Sequence, residues 1–280
     1  MHMNKSLVEF INDYLSSNTL ELPVFHSVAL KLQQMLARSN YSIDDVMELI
    51  IEDQALVSKI LRVANSPFYS GLSKVSTIRD ALVRLGAQEV SNLTMLASQQ
   101  EFYKSDNDLF NRYMHTLWNH ALGCAIGTKW LAIKTGFKNL AQEAFLAGLL
   151  HDIGKLFLLK VLDELNRTSQ LSLSLSEALI KEVLDSLHTK QGNILMQQWN
   201  LPETYCQIVL SHHQDECLND DPLSMLVRLS NLACRKTGVS MHHEPAIVLF
   251  TTREAQFLGV KEIVLAELEI TIEDSVGGMP

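Results

Sequence analysis

The chain has 280 residues, 47% of them hydrophobic and 20% charged, and its net charge is −9. This composition provides for a sizeable core in one large domain or two modest ones and argues against wholesale disorder. An acidic chain without a basic stripe is a poor partner for nucleic acid, since such binding relies on phosphate neutralisation. A small phosphorylated ligand in a local basic pocket stays compatible with the charge.

Both the N-terminal segment and the cysteines are typical of a soluble cytoplasmic protein. The segment MHMNKSLVEF lacks the apolar core of a signal peptide, and the apolar run 144–150 is too short to span a bilayer. None of the four cysteines forms a CxxC pair, which favours reduced thiols; they are Cys124, Cys206, Cys217 and Cys234. We therefore expect a cytoplasmic protein that is not embedded in a membrane.

Helical periodicity begins clearly at residues 42–64. Ser42 is a plausible N-cap, with Asp45 three residues later, and apolar side chains then recur at helical spacing. The helix should stop at Asn65–Pro67, because the residue before proline disfavours the α conformation. We interpret Asn65 as a local cap of this helix end rather than as a ligand-binding residue.

Later helices are predicted from similar signals. Thr77, with Asp80 at the third position, should begin a helix that ends before Gly86. Ser174 and Glu177 form a second expected capping box. Further helices are predicted after Pro202 and over residues 260–272.

No run of alternating β-branched residues bounded by turns is evident, so the sequence predicts an all-α fold. The polar stretch 104–111 is the best internal boundary. It would divide an N-terminal helical lobe, 1–105, from a second lobe, 106–280, that ends in a C-terminal helical extension.

Six potential metal ligands lie between residues 120 and 213: His120, His151, Asp152, His188, His212 and His213. Imidazoles supply neutral nitrogen donors, and a carboxylate supplies charge and can bridge two ions. His188 and His212–His213 are each expected at a helix end. Four helices that present imidazoles toward one centre favour a metal site.

Asp152 has an alternative interpretation. It follows the apolar helix 144–150, where an unpaired buried carboxylate would be costly. Lys155 lies one turn away and could neutralise it in a simple ion pair. The number of histidines in suitable places argues for a metal instead.

Several motifs together resemble one family. Residues 53–69, DQALVSKILRVANSPFY, are similar to the signature DPALxxKILRxANSxxY, with Gln54 in place of proline. Ile78, Ala81–Leu82 and Leu85–Gly86 match a second element, and His188 to Pro202 match H-x3-G-x2-L-x3-W-x-LP. With HDIGK and His212–His213, the chain resembles the HDOD family of the HD-domain metal-dependent phosphohydrolase superfamily over about residues 20–238.

The resemblance implies a site map and an all-α HDOD fold, with an N-terminal helical lobe packed on an HD-type lobe. By that map His120, His151 and Asp152 bind one divalent ion, with Asn231 in place of the family's final aspartate. Asp152 bridges to a second ion held by His188, His212 and His213, while Lys155 contacts the substrate phosphate, so that Asp152 and Lys155 are the catalytic candidates. One or two ions of iron, manganese, nickel or zinc suit these ligands.

Two functions remain open. The favoured one is a regulatory signalling module with a largely retained metal site, whose partner is a signalling protein or a small phosphorylated ligand. The alternative is a metal-dependent phosphohydrolase, either a phosphodiesterase or a nucleotide phosphohydrolase. The absence of a GYP tripeptide after Lys155, where the chain reads Leu156-Phe157-Leu158, disfavours cyclic di-GMP as substrate.

Overall fold

The computed structural model describes residues 6–17, 26–38, 40–66, 74–168, 175–214 and 221–278, and all regular elements within them are helical. They are α1 (Leu7–Ser17), α2 (Ser27–Ala37), α3 (Ile43–Ile51), α4 (Gln54–Ala64), α5 (Ile78–Leu85), α6 (Ala87–Gln99), α7 (Asp108–Lys134), α8 (Ala141–Leu150), α9 (Ile153–Arg167), α10 (Glu177–Gln198), α11 (Glu203–Ser211), α12 (Pro222–Thr237), α13 (Arg253–Phe257) and α14 (Glu262–Gly278). The predicted all-α fold is confirmed.

The helix predicted over residues 42–64 is in fact two helices, α3 and α4. Asp53 leaves the helical conformation, with φ −119° and ψ 98°, and its side chain accepts a hydrogen bond from the Leu56 amide at 2.9 Å. An aspartate in this position caps a new helix, which the apolar periodicity alone did not reveal. The capping box of Ser42 and Asp45 at the start of α3 is confirmed.

The other helix boundaries agree in part with the sequence. Thr77 and Asp80 form the predicted capping box of α5, and α14 confirms a helix in the region 260–272. The prediction that Ser174 caps the next helix is wrong. Helix α10 begins at Glu177, and the side chain of Ser176 accepts the capping hydrogen bond. Ser174 itself lies outside the described residues.

Asn65 ends α4 as a local cap, as expected. Its Nδ2 donates to the carbonyl oxygens of Leu61 at 2.7 Å and Val75 at 2.9 Å, and its Oδ1 accepts from the Val75 amide at 2.9 Å. These bonds join the end of α4 to the segment before α5. The remainder of the motif, residues 67–69, lies outside the described residues.

The apolar side chains form two clusters. The smaller one draws on α2 to α6. The larger one draws mainly on α7 to α14, with further residues from α1, α2 and α6 such as Ile11, Ala29 and Met95. Between them, Lys129 of α7 donates to both carboxylate oxygens of Glu89 on α6, at 2.7 and 2.6 Å, and Gln142 of α8 donates to the same carboxylate. The division of the chain near residues 104–111 stays a prediction.

None of the described helices combines the length and the apolar character needed to cross a bilayer.

Candidate metal centre

The dipeptide His151–Asp152 occupies the turn between α8 and α9, and both side chains are buried. The apolar helix α8 carries this turn into the core. The His151 Nδ1 lies 2.8 Å from the carbonyl oxygen of Gly148, so Nδ1 carries the proton. The unprotonated Nε2 of His151 is therefore directed into the centre.

His120 approaches the same turn from the middle of α7. Its Nδ1 lies 2.9 Å from the carbonyl oxygen of Val239, which directs Nε2 toward the turn. This Nε2 is 3.2 Å from Nε2 of His151 and 3.3 Å from Oδ2 of Asp152. The three residues form one potential half-site.

A second group lies on the other side of Asp152. His188 lies inside α10 rather than at a helix end, so that expectation was wrong, whereas His212 follows the last residue of α11 as predicted. The Nε2 atoms of His188 and His212 are 3.6 and 3.3 Å from Oδ1 of Asp152. The exposed His213 packs against both rings, with centroid distances of 5.1 Å to His188 and 4.1 Å to His212.

The second group has buried polar atoms that nothing in the described residues satisfies: Oδ1 of Asp152, Nε2 of His188 and Nε2 of His212. Leaving such atoms unpaired is costly, and their convergence on one point needs a reason. An ion with bonds of about 2.0–2.1 Å in tetrahedral geometry separates its ligand atoms by about 3.4 Å, close to the distances observed. The residues therefore fit a divalent metal ion.

The ion pair considered as an alternative is also present. Lys155 Nζ lies 2.7 Å from Oδ2 of Asp152, and both side chains are buried. This contact neutralises one oxygen of the carboxylate but leaves Oδ1 unpartnered. Lys155 thus accounts for the burial of Asp152 without accounting for the histidines around it.

The protonation states of the second group suit metal ligation. Burial lowers the pKa of His188 to about 3. Burial alone would likewise lower the pKa of His120, but the neighbouring Cys124 and Asp152 raise it to about 10, so this imidazole must release a proton to bind an ion. Burial alone would raise the pKa of Asp152, but the Lys155 ammonium and the surrounding imidazoles hold it well below its usual range. Neutral imidazoles and an ionised carboxylate are the forms that bind metal.

Asn231 lies buried on α12, which packs on α7. The neighbouring Ser230 Oγ donates to the Cys124 carbonyl oxygen at 3.2 Å, but no described contact joins Asn231 itself to the histidines. Its role as a weak ligand of the first ion stays a prediction.

Two thiols beside His120 were not predicted from the sequence. Cys124 Sγ lies 3.8 Å from Nε2 of His120 and 3.5 Å from Sγ of Cys234 on α12. The available signal was helical spacing, because Cys124 follows His120 by four residues and shares its helix face.

Glycines allow the helices of the centre to approach closely. A Cβ atom at Gly154 would lie 1.9 Å from the carbonyl oxygen of His188, and one at Gly148 would lie 2.6 Å from that of Cys124. The close contacts of α9 with α10 and of α7 with α8 thus require glycine at these two positions. They set the spacing between the ligands on the four helices.

Fold and centre together define an all-α protein with a buried group of histidines and an aspartate that could hold a metal ion. The family model for the HDOD domain matches residues 22–215, and the chain belongs to this family.

Solved structures share the fold. An HDOD domain protein of unknown function from Geobacter sulfurreducens has a TM-score of 0.74 and 24% identity, with 96% of each chain covered. A "Putative metal-dependent phosphohydrolase" from Shewanella amazonensis SB2B has a TM-score of 0.76 and 19% identity, covering 96% of this chain and 98% of its own. A "Putative signal transduction protein" from Marinobacter aquaeolei VT8 has a TM-score of 0.65 and 22% identity. The match covers 99% of this chain and 62% of the Marinobacter chain.

Among curated sequences, an uncharacterized protein from Treponema pallidum (strain Nichols) is 25% identical over 222 residues, which are 77% of this chain. The match spans 42% of that longer protein.

Proposed function

We propose that this protein is a metal-dependent phosphohydrolase of the HDOD family with a centre for two divalent ions. The supporting observation is the division of the Asp152 carboxylate: Oδ2 faces His120 and His151, whereas Oδ1 faces His188 and His212. A carboxylate whose two oxygens face separate histidine groups could serve two ions, and paired ions promote phosphoryl displacement in two-ion hydrolases. The proposal therefore places the enzyme ahead of the signalling module that the sequence alone favoured.

When bound, two ions would lower the pKa of a bridging water and stabilise the oxygens of an in-line phosphoryl displacement. The chain's own residues would orient the reactants. Lys155 would hold a phosphate oxygen with its ammonium group, and Asp152 would present one carboxylate oxygen to each histidine group. His213, which is exposed, would lie where the substrate enters.

The substrate class is a phosphoester or a nucleotide. The ligands suit iron, manganese, nickel or zinc. A cytoplasmic location and a signalling protein partner stay predictions.

A regulatory module is the second candidate, and two observations favour it. Asn231 supplies an amide where the family has a carboxylate, so a first ion would lose a charged ligand. In addition, Lys155 is already paired with Asp152 at 2.7 Å and must leave that contact to hold a phosphate. In this case a single ion at His188, His212 and His213 would stabilise a protein-binding scaffold.

Metal content and hydrolysis together test the proposal. The protein, purified without chelators, is examined by inductively coupled plasma mass spectrometry and then assayed with bis(p-nitrophenyl) phosphate in the presence of manganese, iron or zinc. About two ions per chain and turnover that is lost in His212→Ala would support the enzyme. The matched control is His115→Ala, an exposed histidine on α7 that should change neither value.

Full ion content without hydrolysis of any phosphoester would overturn the enzyme and leave the module. If the protein binds no ions even after metal is added, both the two-ion enzyme and the scaffold with a single ion would be overturned.

A further inference from the structure

Two cysteines face each other where α7 meets α12. Cys124 and Cys234 are both fully buried, and their Sγ atoms are 3.5 Å apart. Residue 123 is a glycine, and a Cβ there would lie 3.3 Å from Sγ of Cys234. The two thiols are therefore held in contact by the packing of two long helices.

The position of Cys124 relative to His120 decides whether the thiols could share a metal ion with the histidine or could only react with each other. Its Sγ is 3.8 Å from Nε2 and 4.0 Å from Nδ1 of the imidazole. Nearly equal distances to the two ring nitrogens place the sulfur away from the direction of the Nε2 lone pair. An ion bound in the ring plane at Nε2 would thus be too far from this sulfur, which argues against a cysteine–histidine metal site.

We propose that Cys124 and Cys234 form a reversible disulfide, a redox modification site that joins α7 to α12 beside His120. Each sulfur must move by less than 1 Å to shorten the contact to the bond length of about 2.05 Å. Closure removes mobility between the two helices that carry His120 and Asn231. The state of the thiols therefore acts on the first half-site.

The oxidant is a hydroperoxide. Sulfur of one thiol attacks one peroxide oxygen, the O–O bond breaks, and water leaves, so that a sulfenic acid forms. The second thiol then displaces the hydroxyl group as a second water and completes the S–S bond. The sulfurs lose two electrons together, the peroxide gains them, and a thiol reductant reverses the reaction.

Access to the buried pair rests on the proposed function, because the ion that it assigns to His120 would need a path to a ring nitrogen 3.8 Å from Cys124 Sγ, and hydrogen peroxide would use the same path. The formation of the disulfide can nevertheless be measured without any metal or substrate, so its failure is distinct from failure of the enzyme proposal.

The test treats the full chain with hydrogen peroxide and records its intact mass before and after dithiothreitol. We expect a loss of about 2 Da, a peptide pair containing Cys124 and Cys234, and full reversal by the reductant. Cys124→Ser and Cys234→Ala should each abolish the mass loss. The control Cys206→Ser should retain it, because Cys206 instead contacts the carbonyl oxygen of Leu201.

An unchanged mass, oxygen addition without a cross-link, or a disulfide that includes another cysteine would overturn the proposal. The link to His120 has its own readout. The dissociation constant of Mn²⁺ should differ about fivefold or more between reduced and oxidised protein, and an equal affinity in both states would refute the coupling.

Discussion

Gly154→Ala should weaken the metal centre although the glycine is not a ligand. An added Cβ would lie 1.9 Å from the His188 carbonyl oxygen and 2.8 Å from the Gly192 amide nitrogen. Real Cβ contacts do not fall below 3.0 Å, so α9 and α10 must separate by about 1.1 Å. Both obstructing atoms belong to the backbone, and therefore a side-chain rotation cannot relieve the clash.

The consequence for the centre follows from bond lengths. Asp152 immediately precedes α9, and its Oδ1 is now 3.6 Å from Nε2 of His188. After the shift this distance would approach about 4.7 Å, whereas two bonds of about 2.1 Å to one ion span at most about 4.2 Å. We expect loss of the ion that His188 shares with Asp152, and destabilisation by about 3 kcal/mol, which lowers Tm by roughly 6–12 °C.

The assay combines metal analysis with thermal unfolding of the metal-free protein. Gly123→Ala is the matched control, because it makes the same change within a helix and meets only side chains, the closest being Val239 Cγ1 at 3.2 Å. It should retain the ions and shift Tm far less. Wild-type ion content and an unchanged Tm in Gly154→Ala would refute the reasoning.

Three further changes give separate outcomes. His212→Ala should reduce bound metal and lower Tm, since it removes one ligand and a buried ring; metal analysis with calorimetry checks both, and no change in either would contradict the site. Asn231→Asp should raise the ion content and any phosphodiesterase rate by supplying a charged ligand; if neither moves, Asn231 is not at the first ion. Arg62→Ala combined with Asn65→Ala should cost about 2–3 kcal/mol through three lost hydrogen bonds of Asn65, measured by urea unfolding, while the metal content stays at the wild-type value. Metal loss in this double variant would show that the two clusters share the centre.

The fold class could be predicted from the sequence because helical periodicity and capping side chains are local signals. Ser42 and Thr77 cap their helices as predicted. The break at Asp53 was missed, since the apolar spacing continues through it and only the side-chain hydrogen bond to Leu56 reveals the new helix. Local capping chemistry overrode the longer periodic pattern.

The metal centre, too, could be predicted from the sequence only in part. Histidine and aspartate in suitable motifs identified the ligands, but their distances depend on how four helices approach one another. Sequence alone could not show that the two oxygens of Asp152 face different groups, because this follows from the packing of α7, α10 and α11 around one turn. Nor could it show that Cys234, more than 100 residues away, contacts Cys124.

The charge of the centre has a consequence for its chemistry. In the part of the chain that the structure describes, Asp152 is the sole acidic member of the histidine groups, and Lys155 adds a positive charge beside it. Two divalent ions would therefore bring four positive charges that this one carboxylate, already balanced by lysine, does not offset. Such a centre needs anions from solution, so phosphate and the second ion should bind together, each raising the other's affinity. The number of ions retained on purification would then depend on the buffer anion as well as on the protein.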